Sequence, residues 1–133
     1  MEPNDFLSKN VFAVAGSFKD ESKYAFQIFR RLKSIGKKVY PVNKTIKEVE
    51  GEKAYKSIKE IPDKVEVVNL VTPPEISLKI AKECKELGIK FIWAQPGASD
   101  EKLIKYCEEN KIKKADNNSF SVIRPDTIGC GAY

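Results

Sequence analysis

The sequence contains no histidine, and this absence narrows the chemistry open to the chain. Histidine is the commonest general base and the commonest metal ligand near neutral pH. A Ser-His or Cys-His nucleophile therefore cannot be assembled within these 133 residues. We predict no catalytic residue and no metal site.

Cysteine is scarce, and its three positions are too widely spaced for a CxxC pair or a disulfide framework. A reducing compartment fits such a chain best. Cys84 and Cys107 fall on the inward faces of predicted helices and are expected in the core. Cys130 lies between two glycines near the end of the sequence, so it is either an inert tail residue or a reactive thiol.

Long apolar runs are also missing, since no segment approaches the roughly 20 residues of a membrane span. The opening segment MEPNDFLSKN is polar and acidic, without the apolar h-region of a signal peptide. We therefore expect a cytoplasmic protein that does not bind membranes. The net charge of +5 favours anionic partners, but the lysines are scattered rather than massed, which argues against nucleic acid.

Apolar residues make up 41% of the sequence, which is enough for the core of one domain. We predict a single domain over residues 1–133, with 1–9 and 117–133 peripheral. Four apolar segments are typical of parallel strands covered on both faces: residues 11–15, 38–42, 65–71 and 89–95. Residues 111–116 are a weaker fifth strand at an edge. Strand and helix alternation predicts an α/β fold, a doubly wound parallel sheet of about five strands with helices on both faces.

Helical spacing marks three helices between these strands. The first has one apolar face, formed by Ala25, Ile28, Phe29, Leu32 and Ile35. The second is predicted to begin at Thr72 as a capping residue with Glu75 completing a capping box, and to bury Ile76, Ile80, Ala81, Cys84 and Leu87. The third covers residues 99 or 100 to 109. Ser57 is predicted to cap a short helix before Pro62.

Ligands bind beyond the carboxyl ends of the strands in such sheets, so the residues after each strand are the candidates. After the first strand, Gly16 lets a backbone approach a phosphate, Ser17 offers a hydroxyl, and Lys19 and Lys23 offer positive charge. The same segment also fits an ordinary strand-to-helix turn. Since most glycines of a GxGxxG loop are missing, the loop is less able to enclose a dinucleotide pyrophosphate.

After the second strand, Asn43 and Lys44 stand where a dinucleotide site would need an acid for the ribose hydroxyls. The missing acid argues against NAD. The lysine favours a nucleotide with an extra ribose phosphate, such as CoA or NADP, although a solvated loop lysine is the alternative. After the third strand, Thr72 and Pro73 form either a helix start or a rigid rim for adenine or pantetheine. After the fourth, Gln95 can bond an amide-bearing arm, while Trp93 is expected in the core.

Several segments, in order, carry a resemblance to a known family: VAGS, VYPVN, GEKAY, SIKEIP and WAQPG, within residues 8 to 115. The chain resembles the small stand-alone CoA-binding proteins, whose three-layer Rossmann-like fold is that of the CoA-binding domain of the succinyl-CoA synthetase α subunit. The resemblance implies that Gly16 and Ser17 face the CoA diphosphate, and that Asn43 and Lys44 lie by the adenosine and its 3′-phosphate. It places Val71, Thr72, Pro73 and Ile76 along the adenine and pantetheine, and Gln95 and Gly97 toward the thiol.

The family's M-D-R-C type segment is replaced here by KADNNSFSVIRPDTIGCGAY, and the phosphorylated histidine of the synthetases is absent. The ligase reaction is therefore not expected. We predict a protein that binds coenzyme A or a short acyl-CoA without a complete catalytic apparatus. An NADP-binding redox enzyme or sensor is one alternative. Another is a ligand-free interaction module acting on a partner enzyme, and a homodimer is also open.

Overall fold

The computed structural model describes residues 9–19, 23–94, 98 and 100–110, and the backbone of 113–115. The main sheet comprises β1 (Val11–Gly16), β2 (Lys38–Val42), β5 (Val67–Val71), β6 (Phe91–Ala94) and β7 (Lys113–Ala115). Between β2 and β5 lie a two-stranded hairpin, β3 (Glu48–Val49) and β4 (Glu52–Lys53), and a 3₁₀ helix (Ile58–Glu60). The α-helices are α1 (Tyr24–Ser34), α2 (Pro74–Leu87) and α3 (Glu101–Glu109).

The five strands of the main sheet run parallel in the order β2-β1-β5-β6-β7. This confirms the predicted doubly wound sheet, and the weak fifth segment is the edge strand β7. The chain passes from β1 to β2, which lies on one side of β1. It then crosses from β2 to β5, which lies on the other side of β1. That reversal is the switch point at which open α/β sheets bind ligands.

Both faces of the sheet are covered, as the mostly apolar strands predict. Phe12 and Val14 point to one face, where they pack with the buried side of α1. Ala13 and Ala15 point to the other face and pack with α2, α3 and the 3₁₀ helix. The fold is therefore a three-layer, Rossmann-like α/β arrangement. Trp93, Cys84 and Cys107 are buried, as expected.

The hairpin between β2 and β5 is attached to α1 by two ion pairs. Its turn uses left-handed backbone at Glu50 (φ 48°) and Gly51 (φ 84°). Arg30 donates to both carboxylate oxygens of Glu50, and Lys33 Nζ lies 2.9 Å from Glu52 Oε2. The chain leaving the hairpin then returns to β2, because Tyr55 forms a parallel bridge with Val42.

One predicted helix cap is wrong, and a second lacks the side-chain bond. The residue that caps α2 is Pro73, and no side chain accepts a bond there, so Thr72 and Glu75 form no capping box. The hydroxyl of Thr72 instead lies 2.7 Å from that of Ser77. Ser57 stands at the capping position of the 3₁₀ helix, as predicted, but its side chain forms no capping bond.

The predicted inner faces of two helices also need correction. In α2 the buried residues are Ser77, Ala81 and Cys84, whereas Ile76 and Leu87 are 37% and 41% exposed. Ile35 is 40% exposed because α1 ends at Ser34, so its side chain no longer follows the helical face. Within the described residues, no helix is long and apolar enough to cross a membrane.

Candidate functional site

A cleft of about 490 Å³ opens at the carboxyl ends of β1, β2 and β5, at the switch point of the sheet. Its volume lies within the roughly 300–1,000 Å³ typical of small-molecule sites. The strand ends contribute Ala15, Gly16, Ser17, Val71, Thr72 and Pro73. The other lining residues form two walls. The β2 wall consists of Val42, Asn43, Lys44, Lys56, Ser57 and Ile58. The α2 wall consists of Ile76, Lys79, Ile80 and Glu83.

Most of the predicted site residues are therefore brought together in one cavity. Gly16, Ser17, Asn43, Lys44, Val71, Thr72, Pro73 and Ile76 all line it. Lys19 and Lys23 are exposed and lie outside its lining. Gln95 and Gly97 fall outside the described residues, and so does Cys130.

Asn43 holds the cleft together rather than projecting a free amide into it. Its Nδ2 donates to the carbonyl of Gly16 at 2.7 Å. Its Oδ1 accepts from the backbone N–H and the hydroxyl of Thr45, both at 2.8 Å, and from the N–H of Ile46. These bonds fix the loop after β2 against the end of β1. The asparagine thereby sets the direction in which the next residue, Lys44, leaves the strand.

Gly16 is required by close packing at the end of β1. A Cβ at this position would lie 2.9 Å from Ala25 Cβ on α1 and 2.9 Å from the carbonyl oxygen of Val71 on β5. Such distances are shorter than a real methyl tolerates, so only glycine lets helix and strands meet here. The sequence argument assigned this glycine to phosphate approach. The structure adds a packing reason that holds whether or not a phosphate binds.

The loop after Gly16 carries Phe18, a large residue, in place of the small glycines of a GxGxxG loop. Phe18 is buried, with its ring 5.9 Å from that of Phe29 and 6.2 Å from that of Phe26. Both partners lie on α1. The loop is anchored by this aromatic contact instead of by glycines that would wrap a pyrophosphate.

Three lysines line the cleft, and sequence reasoning found only Lys44. Lys56 follows Tyr55, whose backbone exchanges bonds with β2: Tyr55 N donates to the Pro41 carbonyl and the Tyr55 carbonyl accepts from Asn43 N, each at 2.9 Å. Lys79 lies one turn beyond Ile76 on the α2 wall. All three lysines are exposed, and within the described part of the chain none forms an ion pair.

The rest of the lining is mainly apolar. Val42, Ile58, Val71, Ile76 and Ile80 offer aliphatic surface from both walls and from the strand ends. Pro73 and Pro74 at the start of α2 carry no backbone N–H, so this rim presents few donors. An aliphatic cleft edged by three ammonium groups and one carboxylate suits an amphipathic anion: a flat apolar ring inside and phosphates at the rim.

Within the described residues, no group of three or more cysteine, aspartate or glutamate side chains could hold a metal ion. The two described cysteines are buried and do not line the cleft, and burial raises the pKa of the Cys84 thiol well above its usual range. A neutral, enclosed thiol is a poor nucleophile.

Comparison with known proteins identifies the family to which this chain belongs. Residues 10–125 match the family model described as the CoA binding domain. The chain belongs to this family. The resemblance read from the sequence is thus confirmed, and the switch-point cleft lies within the matched region of this CoA-binding domain.

Relatives of the CoA-binding domain occur in chains of different length. The α subunit of acetate–CoA ligase [ADP-forming] II from Pyrococcus furiosus is 36% identical over 128 residues, covering 93% of this chain and 28% of that protein. The uncharacterized protein YneT from Bacillus subtilis is 30% identical over 102 residues, covering 77% of this chain and 75% of that one. The chain thus spans less than a third of the ligase subunit it matches.

A solved structure supports the fold at similar size. A conserved hypothetical protein from Pyrococcus furiosus is 35% identical with a TM-score of 0.80, covering 86% of this chain and 97% of that one. The Rossmann-like arrangement described above is therefore shared by a chain of nearly the same extent.

Proposed function

We propose that this protein binds coenzyme A or a short acyl-CoA, with the adenosine end of the ligand in the switch-point cleft. The observation that supports this proposal is the lining of the cleft. Aliphatic side chains come from both walls, and Lys44, Lys56 and Lys79 lie at the rim. Membership of the CoA-binding domain family supports the same ligand class. The residues present fit an adenosine carrying phosphates, since the base needs apolar contact and the phosphates need cations.

Within this proposal, the residues after the strands take distinct roles. Ser17 at the end of β1 faces the diphosphate, and Lys44 after β2 faces the 3′-phosphate. Val71, Pro73 and Ile76 contact the base and the start of the pantetheine arm. Asn43 acts as a positioning residue, since its amide is already engaged by Gly16 and the following loop. Gln95 and Gly97 remain the proposed contacts toward the thiol.

The protein is proposed to bind rather than to transform its ligand. The relatives that carry a ligase name are much longer than this chain, and the chain spans 28% of the ligase α subunit. The 133 residues contain no histidine to carry a phosphoryl group, and a partner enzyme that supplies the remaining machinery is part of the proposal. In that arrangement the domain would present CoA to chemistry carried out elsewhere.

Calorimetric titration with CoA, 3′-dephospho-CoA, NADP and NAD, in the presence of a reductant, tests the proposal. We expect binding of CoA, weaker binding of the dephospho form, and little or none of the two dinucleotides. Preference for NADP over CoA would replace the proposal with the redox alternative. Failure of all four ligands to bind would sink the ligand-binding proposal and leave the interaction module.

A further inference from the structure

Glu83 is the only acidic side chain of the described residues that lines the cleft, and the proposed function leaves it without a role. It lies on α2 at helical spacing from Ile76, Ile80 and Lys79, so all four belong to one helix face. A carboxylate in an anion-binding cleft costs affinity for phosphate unless it contacts something else. Its position therefore calls for a ligand group that donates hydrogen bonds.

The carboxylate is held in place at the point where the two walls meet. Glu83 Oε1 accepts the backbone N–H of Lys59 at 3.1 Å, which joins α2 to the 3₁₀ helix. The Lys59 ammonium is directed elsewhere, since its Nζ lies 2.6 Å from Glu86 Oε2. Within the described residues, no lysine forms an ion pair with Glu83, so the carboxylate retains acceptor capacity beside the cleft.

The apolar residues next to Glu83 define what kind of donor reaches it. Ile58 and Ile80 lie in one hydrophobic cluster and both line the cleft near the joint between the walls. Aliphatic surface of this kind contacts the face of an aromatic base, while a carboxylate at its border accepts from the edge of the base. Among purines, a 6-amino group donates at that edge, whereas a 6-oxo group presents another acceptor.

We infer that Glu83 is a specificity-determining residue that accepts a hydrogen bond from the exocyclic amino group of an adenine base. This inference rests on the proposed function, because it needs the adenosine end of the ligand in the cleft. It goes further by stating which base the site selects and which atom selects it. A 6-oxo purine held in the same position would set its carbonyl against the carboxylate, and its N1–H would have to shift by one ring atom to donate to Glu83.

The test compares adenosine 3′,5′-bisphosphate with inosine 3′,5′-bisphosphate, which carry the same phosphates and differ at ring position 6. By calorimetry, we expect the wild-type protein to prefer the adenosine ligand by about tenfold, the effect of one unpaired buried acceptor. Glu83→Gln keeps an oxygen for the Lys59 N–H and turns an amide donor toward the base. This variant should lose the preference or reverse it.

Glu75→Gln is the matched control, since Glu75 lies on the same helix, is exposed, and does not line the cleft. It should keep the wild-type preference, and circular dichroism should show both variants folded. Equal wild-type affinity for the two bisphosphates, or an unchanged preference in Glu83→Gln, would overturn the inference while leaving CoA binding intact. If CoA itself does not bind, the proposed function fails first and the inference fails with it.

Discussion

The side chain of Asn43 donates to the carbonyl of Gly16 across 27 residues of sequence, at 2.7 Å, and so joins the ends of β1 and β2. The same side chain organises the loop that carries Lys44. One residue thus links the tightest packing point of the site, Gly16, to its predicted phosphate contact. This link gives the cleft a fixed shape before any ligand arrives, and preorganisation of this kind favours binding.

Replacing Asn43 by aspartate isolates this bond. Aspartate keeps the oxygen that accepts from Thr45 and Ile46, but it loses the donor and sets a carboxylate oxygen against the Gly16 carbonyl. We expect Asn43→Asp to lower the free energy of unfolding by about 1–3 kcal/mol, the range for an unsatisfied buried acceptor. Denaturant titration measures the change. An Asn43→Asp variant as stable as the wild type would refute the role given to the bond.

Gly16→Ala tests the packing reason for the glycine. The added methyl would meet Ala25 Cβ and the Val71 carbonyl at 2.9 Å, so α1 or β5 has to shift. We expect a loss of about 1–3 kcal/mol of stability, typical of overpacking, together with weaker CoA binding because both neighbours lie near the cleft. Ser17→Ala, one residue further and exposed, should leave the melting temperature nearly unchanged. A Gly16→Ala variant as stable as the wild type would show that the junction has room to relax.

The strands and the first helix were predictable because their buried residues form recognisable apolar patterns in the sequence. The segments 11–15 and 38–42 match β1 and β2 almost residue for residue. Four of the five apolar residues assigned to the first helix are buried in α1. Continuous apolar strands occur where both faces of a sheet are covered, so the doubly wound arrangement followed from the same pattern.

The second helix shows why the site was harder to predict. Helical spacing assigned Ile76 and Ile80 to the core, and only the family resemblance placed Ile76 at the ligand. Both line the cleft, and the buried face is centred on Ser77, Ala81 and Cys84. A helix face that lines an apolar cavity has the same spacing as one that packs on a sheet. Ser77 was missed because a hydroxyl reads as polar, although the bond to Thr72 satisfies it in the interior.

Lys56 and Lys79 were missed for a different reason. Lys56 belongs to an irregular connection, and nothing local in the sequence predicts that Tyr55 pairs with Val42 and brings it to the end of β2. Lys79 looks like any exposed helix lysine until the cleft beside α2 is known. Residues directly after a strand can be placed from topology alone, whereas those two depend on tertiary contacts.

Replacing Asp63 should make the free energy of unfolding depend less on pH in the acid range. The Lys38 ammonium and the Tyr40 hydroxyl bond its Oδ2, at 2.9 and 3.0 Å, and hold the pKa of this carboxyl below its ordinary value. A depressed folded-state pKa stabilises the protein above the unfolded pKa of about 3.9, and this contribution is lost as the pH falls through the folded value. Asp63→Asn should therefore be less stable than the wild type at neutral pH.

The pH profile separates this effect from a general loss of stability. The difference in free energy of unfolding between wild type and Asp63→Asn should shrink as the pH falls below about 4, because the wild-type carboxyl then takes up its proton. Denaturation curves between neutral and strongly acidic pH measure it. Glu60→Gln, at an exposed carboxylate without an ion pair among the described residues, is the control. A difference that stays constant over this range would contradict the assignment.

Lys44→Ala should weaken CoA more than 3′-dephospho-CoA. If the Lys44 ammonium contacts the 3′-phosphate, the Lys44→Ala variant loses this contact with CoA. The affinity for 3′-dephospho-CoA should not change, because that ligand has no 3′-phosphate. We expect roughly a tenfold loss for CoA, near the lower end for hydrogen bonds to charged groups because the lysine is exposed. Binding of CoA should also weaken with rising salt, since exposed charges are screened.

Comparison of the three lysines then locates the phosphates. Lys56→Ala and Lys79→Ala remove the other two rim charges, and Lys47→Ala removes an exposed charge outside the cleft. Lys47→Ala should change neither affinity beyond a small electrostatic effect. Equal losses for CoA and its dephospho form in Lys44→Ala would show that the 3′-phosphate lies elsewhere. Selective loss in Lys56→Ala or Lys79→Ala instead would assign the 3′-phosphate to that lysine, a contact that the sequence did not predict.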